Sequence, residues 1–581
     1  MTYREQYIYW LNAPYFDLAT RTELAAIAGD DKEIEDRFYR ELEFGTGGLR
    51  GVIGAGTNRM NPYTVRKATQ GLANYIISQG GDDAVAVRQK GVAIAYDSRR
   101  MSPQFADEAA LCLAANGIRA YVFESLRPTP ELSFAVRHLG CIAGIVITAS
   151  HNPPEYNGYK AYWQDGAQMA YPRDEAVIDC VRAVRDFTAV KTMTKDEAQK
   201  AGLYRTIGAE VDDAYIAELK KQIIHPDIIA KAADRLKIVY TPFHGSGNVP
   251  VRRILAEMGF NHVYVVPEQE APDPDFPTID YPNPEDPKAF VLALALAREK
   301  EADIVLATDP DADRIGIYVR DSASGEYIPF SGNMTGMLIA EYILRERRCS
   351  GTMPENPLMI STIVTSNLGA RIAAAYDVDF IEVLTGFKYI GEQIKIFEQE
   401  GTKNYVFGLE ESYGCLAGTH ARDKDAVVAV MCLCELAAYA LVHGRTLWDE
   451  MLAVYQKYGF YKETQFSITL KGKEGAGQIQ AMMEGLRQNP PQKLGELRVL
   501  ALRDYELDIV SDFTTGRTAP TGLPRSNVLY FDLANDSWCC ARPSGTEPKI
   551  KFYIAVRGDS LADAEAKSAA LTEAMRSILP I

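Results

Sequence analysis

Cys141-Ile-Ala-Gly-Ile-Val-Ile-Thr-Ala-Ser150 runs directly into His151-Asn-Pro-Pro-Glu-Tyr-Asn-Gly-Tyr-Lys160. Its first seven residues are apolar or small with no alternation, the pattern of a strand buried on both faces. The residues that follow Ser150 are turn formers. The same sequence of strand and polar exit recurs at Gly91–Ser98, Leu236–Asn248, Ala302–Asp309, Leu358–Ser366 and Phe380–Leu384, with short strands also at Arg119–Phe123 and His262–Val266. Helix-patterned segments lie between them, at Pro103–Asn116 and from Val251 and Pro287. Continuous apolar strands alternating with helices predict parallel α/β sheets covered on both faces. The last stretch differs. Phe466–Leu470, Val528–Leu533 and Lys549–Val556 read as strands and a helix closes the chain from Leu561, which predicts a smaller α+β domain with an antiparallel sheet. The α/β cycle recurs about three times without a strict period.

The chain has 581 residues, too many for one core, and its 47% hydrophobic and 24% charged content is ordinary for a globular protein. A formal net charge of −16 argues against nucleic acid or an anionic membrane surface as a partner held by general attraction. A phosphorylated small molecule would need a local cluster of cations. The nine cysteines are odd in number and include no CxxC pair, so reduced thiols of a cytoplasmic protein are the simple reading. Met1–Trp10 has no apolar h-region, and the apolar run from Ala426 is interrupted by Glu435; neither a signal peptide nor a membrane span is expected.

Ligands of open α/β sheets bind beyond the carboxyl ends of strands, which singles out four loops. Ser150 leaves a buried strand with His151 beside it and Lys160 ten residues on, within reach if the loop folds back; this suits a nucleophile or phosphate carrier, and equally an ordinary turn with a surface lysine. Asp309-Pro-Asp-Ala-Asp-Arg314 sets three carboxylates at alternate positions, able to converge on a hard cation. It is not an EF-hand, because Arg314 and Arg320 stand where that motif needs Gly and Glu. The alternative, a solvated acidic turn, leaves three like charges repelling one another. Gly408–Gly414, followed by Ala421–Ala426, suits sugar hydroxyls or is a plain charged loop. Arg542-Pro-Ser-Gly-Thr-Glu-Pro-Lys549, with Lys551 beyond, could form an anion nest or a basic turn.

Together these stretches resemble the α-D-phosphohexomutase family, in its long phosphoglucomutase/phosphomannomutase branch. The resemblance runs in family order through Phe44–Gly51 (FGTGGLRG), Thr148–Lys160, Asp309–Arg314, Thr385–Glu392 (TGFKYIGE), Leu409–Gly414, Ala421–Ala426 and Arg542–Lys549. It implies an α/β architecture of four domains around a central cleft: 1–205, 206–325 and 326–455 as three related α/β domains, then 456–581 as the α+β domain. It implies that Ser150 is a phosphoserine whose phosphate joins Asp309, Asp311 and Asp313 around Mg²⁺. Lys160, His151 and Lys424 would serve proton transfer, with Arg50 and Thr46 supporting the phosphoserine and Arg314 pairing with phosphate. Thr385, Gly386 and Lys388 would approach the sugar, Glu410 and Ser412 would bind its hydroxyls, and Arg542, Ser544, Gly545 and Thr546 would grip the phosphate not being transferred. Leu409 stands where the common family pattern has Gly.

The activity so implied is that of a cytoplasmic, monomeric isomerase acting on a phosphosugar. It would interconvert glucose 1-phosphate and glucose 6-phosphate through glucose 1,6-bisphosphate, without nucleic acid or membrane partners. Mannose and pentose phosphates, or synthesis of a sugar bisphosphate, are the alternatives within the family. A phosphohydrolase would need no second phosphate grip at Arg542, and a non-catalytic sensor would not need Ser150 with three aspartates. A lysine acting as base near neutrality would have to be pushed below its usual value of about 10.4 by neighbouring cations.

Overall fold

The computed structural model describes residues 1–45, 48–470, 472–544 and 549–579. They form two compact units. The first comprises Met1–Gly332, Phe387–Gly408 and Ser412–Leu447, and the second Asn333–Gly386, Leu409–Glu411 and Trp448–Ile581.

In the first unit, the apolar runs at Val92–Tyr96, Ala120–Phe123 and Ala143–Ile147 lie in one six-stranded sheet. They are parallel to one another, as the uninterrupted hydrophobicity demands. Helices bracket them. Pro62–Ser78 is capped by Asn61, whose side chain accepts from Tyr63 N and Thr64 N. Ser102–Ala115 starts with Pro103 in its first turn. The sheet is mixed rather than wholly parallel, which corrects the expectation. Tyr156–Trp163 returns antiparallel to Ala143–Ile147, and Gly48–Val52 pairs antiparallel with Tyr156–Trp163 at the edge. A second sheet repeats the design. Lys237–Thr241 is parallel to His262–Val265 and Ile304–Thr308, and Ile315–Arg320 returns antiparallel along Ile304–Thr308. Both return strands are buried on both faces, so they carry no alternation to mark them.

Before the first sheet, Trp10 is buried and stacks on Phe16 at 4.2 Å, with Phe38 and Tyr63 edge-on to it. This aromatic cluster holds three N-terminal helices ahead of Gly48–Val52. The apolar run from Ala426 is the helix Ala426–Val442, buried along most of its length and capped by Asp425. Its Glu435 accepts from Ile224 N (2.9 Å) and His225 N (2.6 Å), which explains a carboxylate inside an apolar helix. No single helix among the described residues is long and apolar enough to cross a membrane.

In the second unit, Pro357–Thr362 and Asp379–Val383 pair in parallel. The expected antiparallel sheet is present and larger than the sequence shows. Phe460–Thr469, Lys549–Gly558, Ser537–Pro543, Leu529–Leu533 and Leu497–Asp504 follow one another across it, all antiparallel. Leu561–Ser577 packs Leu571 and Met575 into its core.

Candidate active site

The two loops with the most specific sequences are hairpin tips. In the first, Val146 lies opposite Lys160, so the chain does fold back and returns Lys160 to the level of the strand end that precedes Ser150. The close return depends on Gly158: a Cβ there would lie 2.4 Å from Thr148 O. In the second, Thr308 lies opposite Ile315, and the six residues between them hold the three aspartates. That tip is closed by Asp309, whose Oδ1 accepts from Asp313 N and Arg314 N at 3.1 Å. It is braced by Ser246, whose hydroxyl and amide both donate to Pro310 O at 2.8 Å.

The tips meet. Ser150 is buried with φ +51°, and its Oγ donates to Asp309 Oδ2 at 2.8 Å, with His151 Nδ1 at 3.1 Å. Lys160 Nζ is 2.7 Å from Asp311 Oδ2 and 3.4 Å from Asp313 Oδ2. Lys424 Nζ reaches Asp313 Oδ2 at 3.3 Å and Asp423 Oδ1 at 3.2 Å. Gly414, in the third motif, makes room for it, since a Cβ there would sit 2.0 Å from Lys424 Cδ. Arg50 reaches the first tip by donating to Asn152 Oδ1 at 3.2 Å.

Electrostatics differentiate the three buried carboxylates. Burial, with Asp311 and Asp313 beside it, pushes Asp309 well above the ordinary carboxylate range. Burial would do the same to Asp311, but the Lys160 ammonium and hydrogen bonds from Lys160 and Thr129 hold it low. Burial and Asp311 oppose ionisation of Asp313, yet Lys424 and Lys160 prevail and its value is lowered. Lys160 itself is raised: burial alone would lower it, and the charges of Asp311 and Asp313 outweigh that. This is the opposite of the lowered lysine that a base near neutrality needs, because the two carboxylates outweigh the charge of Lys424. His151 is kept neutral by burial and by the charges of Arg314 and Arg50.

One carboxylate oxygen from each of Asp309, Asp311 and Asp313 lies within 4.8 Å of the other two. Asp311 Oδ1 and Asp313 Oδ1 are buried without a hydrogen-bond partner. Buried, unpartnered, hard oxygen donors in this number fit a divalent cation such as Mg²⁺.

Several residues that hold the site escaped the sequence reading. Thr129 donates its hydroxyl to Asp311 Oδ2 at 2.7 Å and its amide to Asp311 O at 2.9 Å. In sequence it opens a helix between two prolines and looks like an ordinary start. Tyr162 donates to Asp423 Oδ2 at 2.7 Å, fixing the partner of Lys424. Arg314 and Lys388, named from the sequence, both meet carboxylates of the protein. Arg314 Nη1 is 2.9 Å from Glu285 Oε1, and Lys388 Nζ is 3.4 Å from Asp174 Oδ2.

In the second unit, Arg542 and Lys551 face each other across antiparallel strands, and Ser544 N donates to Lys549 O at 2.7 Å. Gly545 and Thr546, like Thr46 of the N-terminal motif, lie outside the described residues. Glu410 is buried at the end of Asn404–Glu410. The carboxyl of Glu411 is pushed up to about 7 by burial and by Glu410, against the pull of Arg542 and Lys551. Its Oε2 accepts from Thr362 Oγ1 at 3.2 Å. Thr385 follows the strand Asp379–Val383, with a buried hydroxyl that has no hydrogen-bond partner. Gly386 comes next, with φ +125°. Ser412 lies half-buried in the turn that precedes Gly414–Ala417.

Comparison with known proteins agrees with this arrangement. Residues 41–187, 213–324 and 331–458 match the models of phosphoglucomutase/phosphomannomutase alpha/beta/alpha domains I, II and III. The chain belongs to the phosphoglucomutase/phosphomannomutase family. A phosphoglucomutase of Staphylococcus aureus strain MRSA252 is 37% identical over 527 residues, covering 91% of this chain and 92% of the relative. Parafusin, a phosphoglucomutase of Paramecium, shares the fold with a TM-score of 0.68 at 18% identity, over 93% of this chain and 95% of that one. A family protein from Burkholderia thailandensis gives 0.63 at 20% identity, over 92% and 97%. As a member of the phosphoglucomutase/phosphomannomutase family, the chain has three α/β/α domains followed by a sheet-rich C-terminal domain. It is an enzyme of the intramolecular phosphotransferase class, an isomerase.

Proposed function

We propose that this enzyme interconverts glucose 1-phosphate and glucose 6-phosphate through a phosphorylated Ser150 and a glucose 1,6-bisphosphate intermediate. The observation that carries the proposal is the convergence of the two hairpin tips: a buried serine hydroxyl 2.8 Å from one of three clustered aspartates, with a lysine 2.7 Å from a second. The phosphoglucomutase relatives at 37% identity support glucose as the sugar.

Asp309, Asp311 and Asp313 would hold Mg²⁺, which when bound supplies positive charge against the phosphoryl oxygens. The sugar hydroxyl attacks phosphorus, its oxygen forms the new P–O bond, and the bond to Ser150 Oγ breaks. The hydroxyl proton must leave. His151, with Nδ1 3.1 Å from Ser150 Oγ, is the candidate to accept it, and Lys160, on the returning strand beside the aspartates, is the candidate to balance phosphoryl charge and return a proton to Ser150 Oγ. In the second half-reaction Ser150 takes the other phosphate. Arg542 and Lys551 offer two cations on facing strands for the phosphate that is not in transfer. Glu410 and Ser412, with Thr385 and Gly386, are the sugar-binding candidates.

A coupled assay with Mg²⁺ and a trace of glucose 1,6-bisphosphate tests the sugar assignment. Glucose 1-phosphate should turn over faster than mannose 1-phosphate or ribose 1-phosphate. A preference for ribose 1-phosphate would move the enzyme to pentoses, and no isomerisation of any of the three would refute the proposal. Arg542→Ala should raise KM about 10- to 100-fold, the scale of a lost charge-assisted hydrogen-bonded pair, with kcat within about tenfold of the parent. Steady-state kinetics on glucose 1-phosphate reads the split; an equal loss in kcat alone would remove Arg542 from phosphate binding.

A further inference from the structure

Ser150 holds a backbone conformation that L-residues seldom adopt, with φ +51°, and something must keep it there. Its amide donates to Thr148 Oγ1 at 2.8 Å, and that hydroxyl donates to Asp97 Oδ2 at 2.6 Å. Its carbonyl accepts from Arg99 Nη2 at 2.5 Å. The same nitrogen donates to Asn152 O, while Nη1 donates to Pro153 O at 2.7 Å and Tyr156 O at 3.1 Å. Asp97 Oδ2 lies 3.2 Å from Arg99 Nε, and Asp97 Oδ1 accepts from Arg99 N at 3.0 Å and Ser102 Oγ at 2.8 Å. The interactions close a ring through Asp97, Thr148, the two backbone groups of Ser150 and Arg99. Asp97 and Arg99 are both buried, and the Phe276 ring covers the guanidinium at 5.1 Å.

We propose that Arg99 is the positioning residue of the nucleophile: its guanidinium gathers four carbonyls of the Ser150 hairpin tip and fixes the direction in which Ser150 Oγ points. It reaches Ser150 through the backbone carbonyl and not through the serine side chain. Four carbonyls need a planar fork with several donors, which a lysine ammonium does not provide. This inference rests on the reading of Ser150 as the phosphoryl carrier.

The test uses full-length enzyme with glucose 1-phosphate, Mg²⁺ and glucose 1,6-bisphosphate, and compares Arg99→Lys, Arg99→Ala and Thr148→Val with the parent and with Ser150→Ala. Arg99→Lys should lose about 100-fold in kcat, the cost of roughly an ångström of misplacement, while KM moves less than about threefold. Thr148→Val, nearly isosteric, should lose kcat in the same sense by about tenfold. Added guanidinium at millimolar concentration should recover part of the kcat of Arg99→Ala, a response that loss of general packing would not show. Parent-like kcat in folded Arg99→Lys overturns the proposal. So does a KM increase as large as the kcat loss, and so does failure of guanidinium rescue together with parent-like Thr148→Val. If Arg99→Lys does not fold, Thr148→Val decides alone. Retained activity in Ser150→Ala would instead overturn the phosphoserine reading, whatever Arg99 does.

Discussion

Ser150→Ala is expected to lose isomerisation by about 10⁴-fold or more, with phosphosugar binding kept within a few-fold. On the proposed mechanism the serine hydroxyl carries the phosphate, and it lies 2.8 Å from Asp309 and 3.1 Å from His151. Without it the neighbouring lysines, and the aspartates through a cation, can still bind a phosphorylated sugar, but position 150 offers no oxygen to phosphorus. The change removes one buried oxygen and leaves the backbone ring around residue 150 intact, so the variant should fold. Incubation with glucose 1,6-bisphosphate labelled in its phosphate should mark Ser150 in the parent and nothing at that position in the variant. Turnover in the variant near the parent rate would end the covalent mechanism.

The second large effect has two signs. Asp309→Asn should abolish binding of Mg²⁺ in the micromolar to millimolar range and lower turnover by about 10³-fold, yet make the metal-free protein more stable. Burial and two neighbouring carboxylates push Asp309 far above its ordinary value. Its ionised form is therefore disfavoured in the folded chain: the associated stability is present at low pH and is lost as pH rises from the ordinary carboxylate value toward the raised one. At neutral pH the metal-free enzyme bears that cost. Asparagine removes the charge and can still accept from Asp313 N and Arg314 N through its amide oxygen. Thermal unfolding with and without Mg²⁺ reads both signs together. The parent should melt higher when Mg²⁺ is added and the variant should not respond, while melting above the metal-free parent. A variant less stable than the metal-free parent would refute the account of Asp309.

The strands at Val92–Tyr96, Ala143–Ile147 and Ile304–Thr308 were legible because an uninterrupted apolar run has few other uses. Their antiparallel returns were not. Tyr156–Trp163 begins with Tyr-Asn-Gly, which reads as a turn, and the glycine is there for close approach to Thr148 O instead. The same distinction divides the site. Ser150 and the three aspartates announce themselves through spacing, whereas Thr129, Tyr162 and Ser246 are ordinary residues made functional by neighbours far along the chain. The raised value of Lys160 depends on two carboxylates some 150 positions away: spacing shows the residues but not which of their charges meet.

Since Val146 and Lys160 are tied to one register across a hairpin, the placing of Lys160 beside the loop that carries Ser150 behaves as a ruler cut in whole residues. A slip of that pairing by one residue would turn Lys160 to the opposite face of its strand, because side chains alternate. An engineer could recolour the tip by substitution but not slide its second strand. On the proposed function, variation that alters sugar preference should collect in the loops around Glu410 and Thr385, while the pairing of Val146 with Lys160 stays constant.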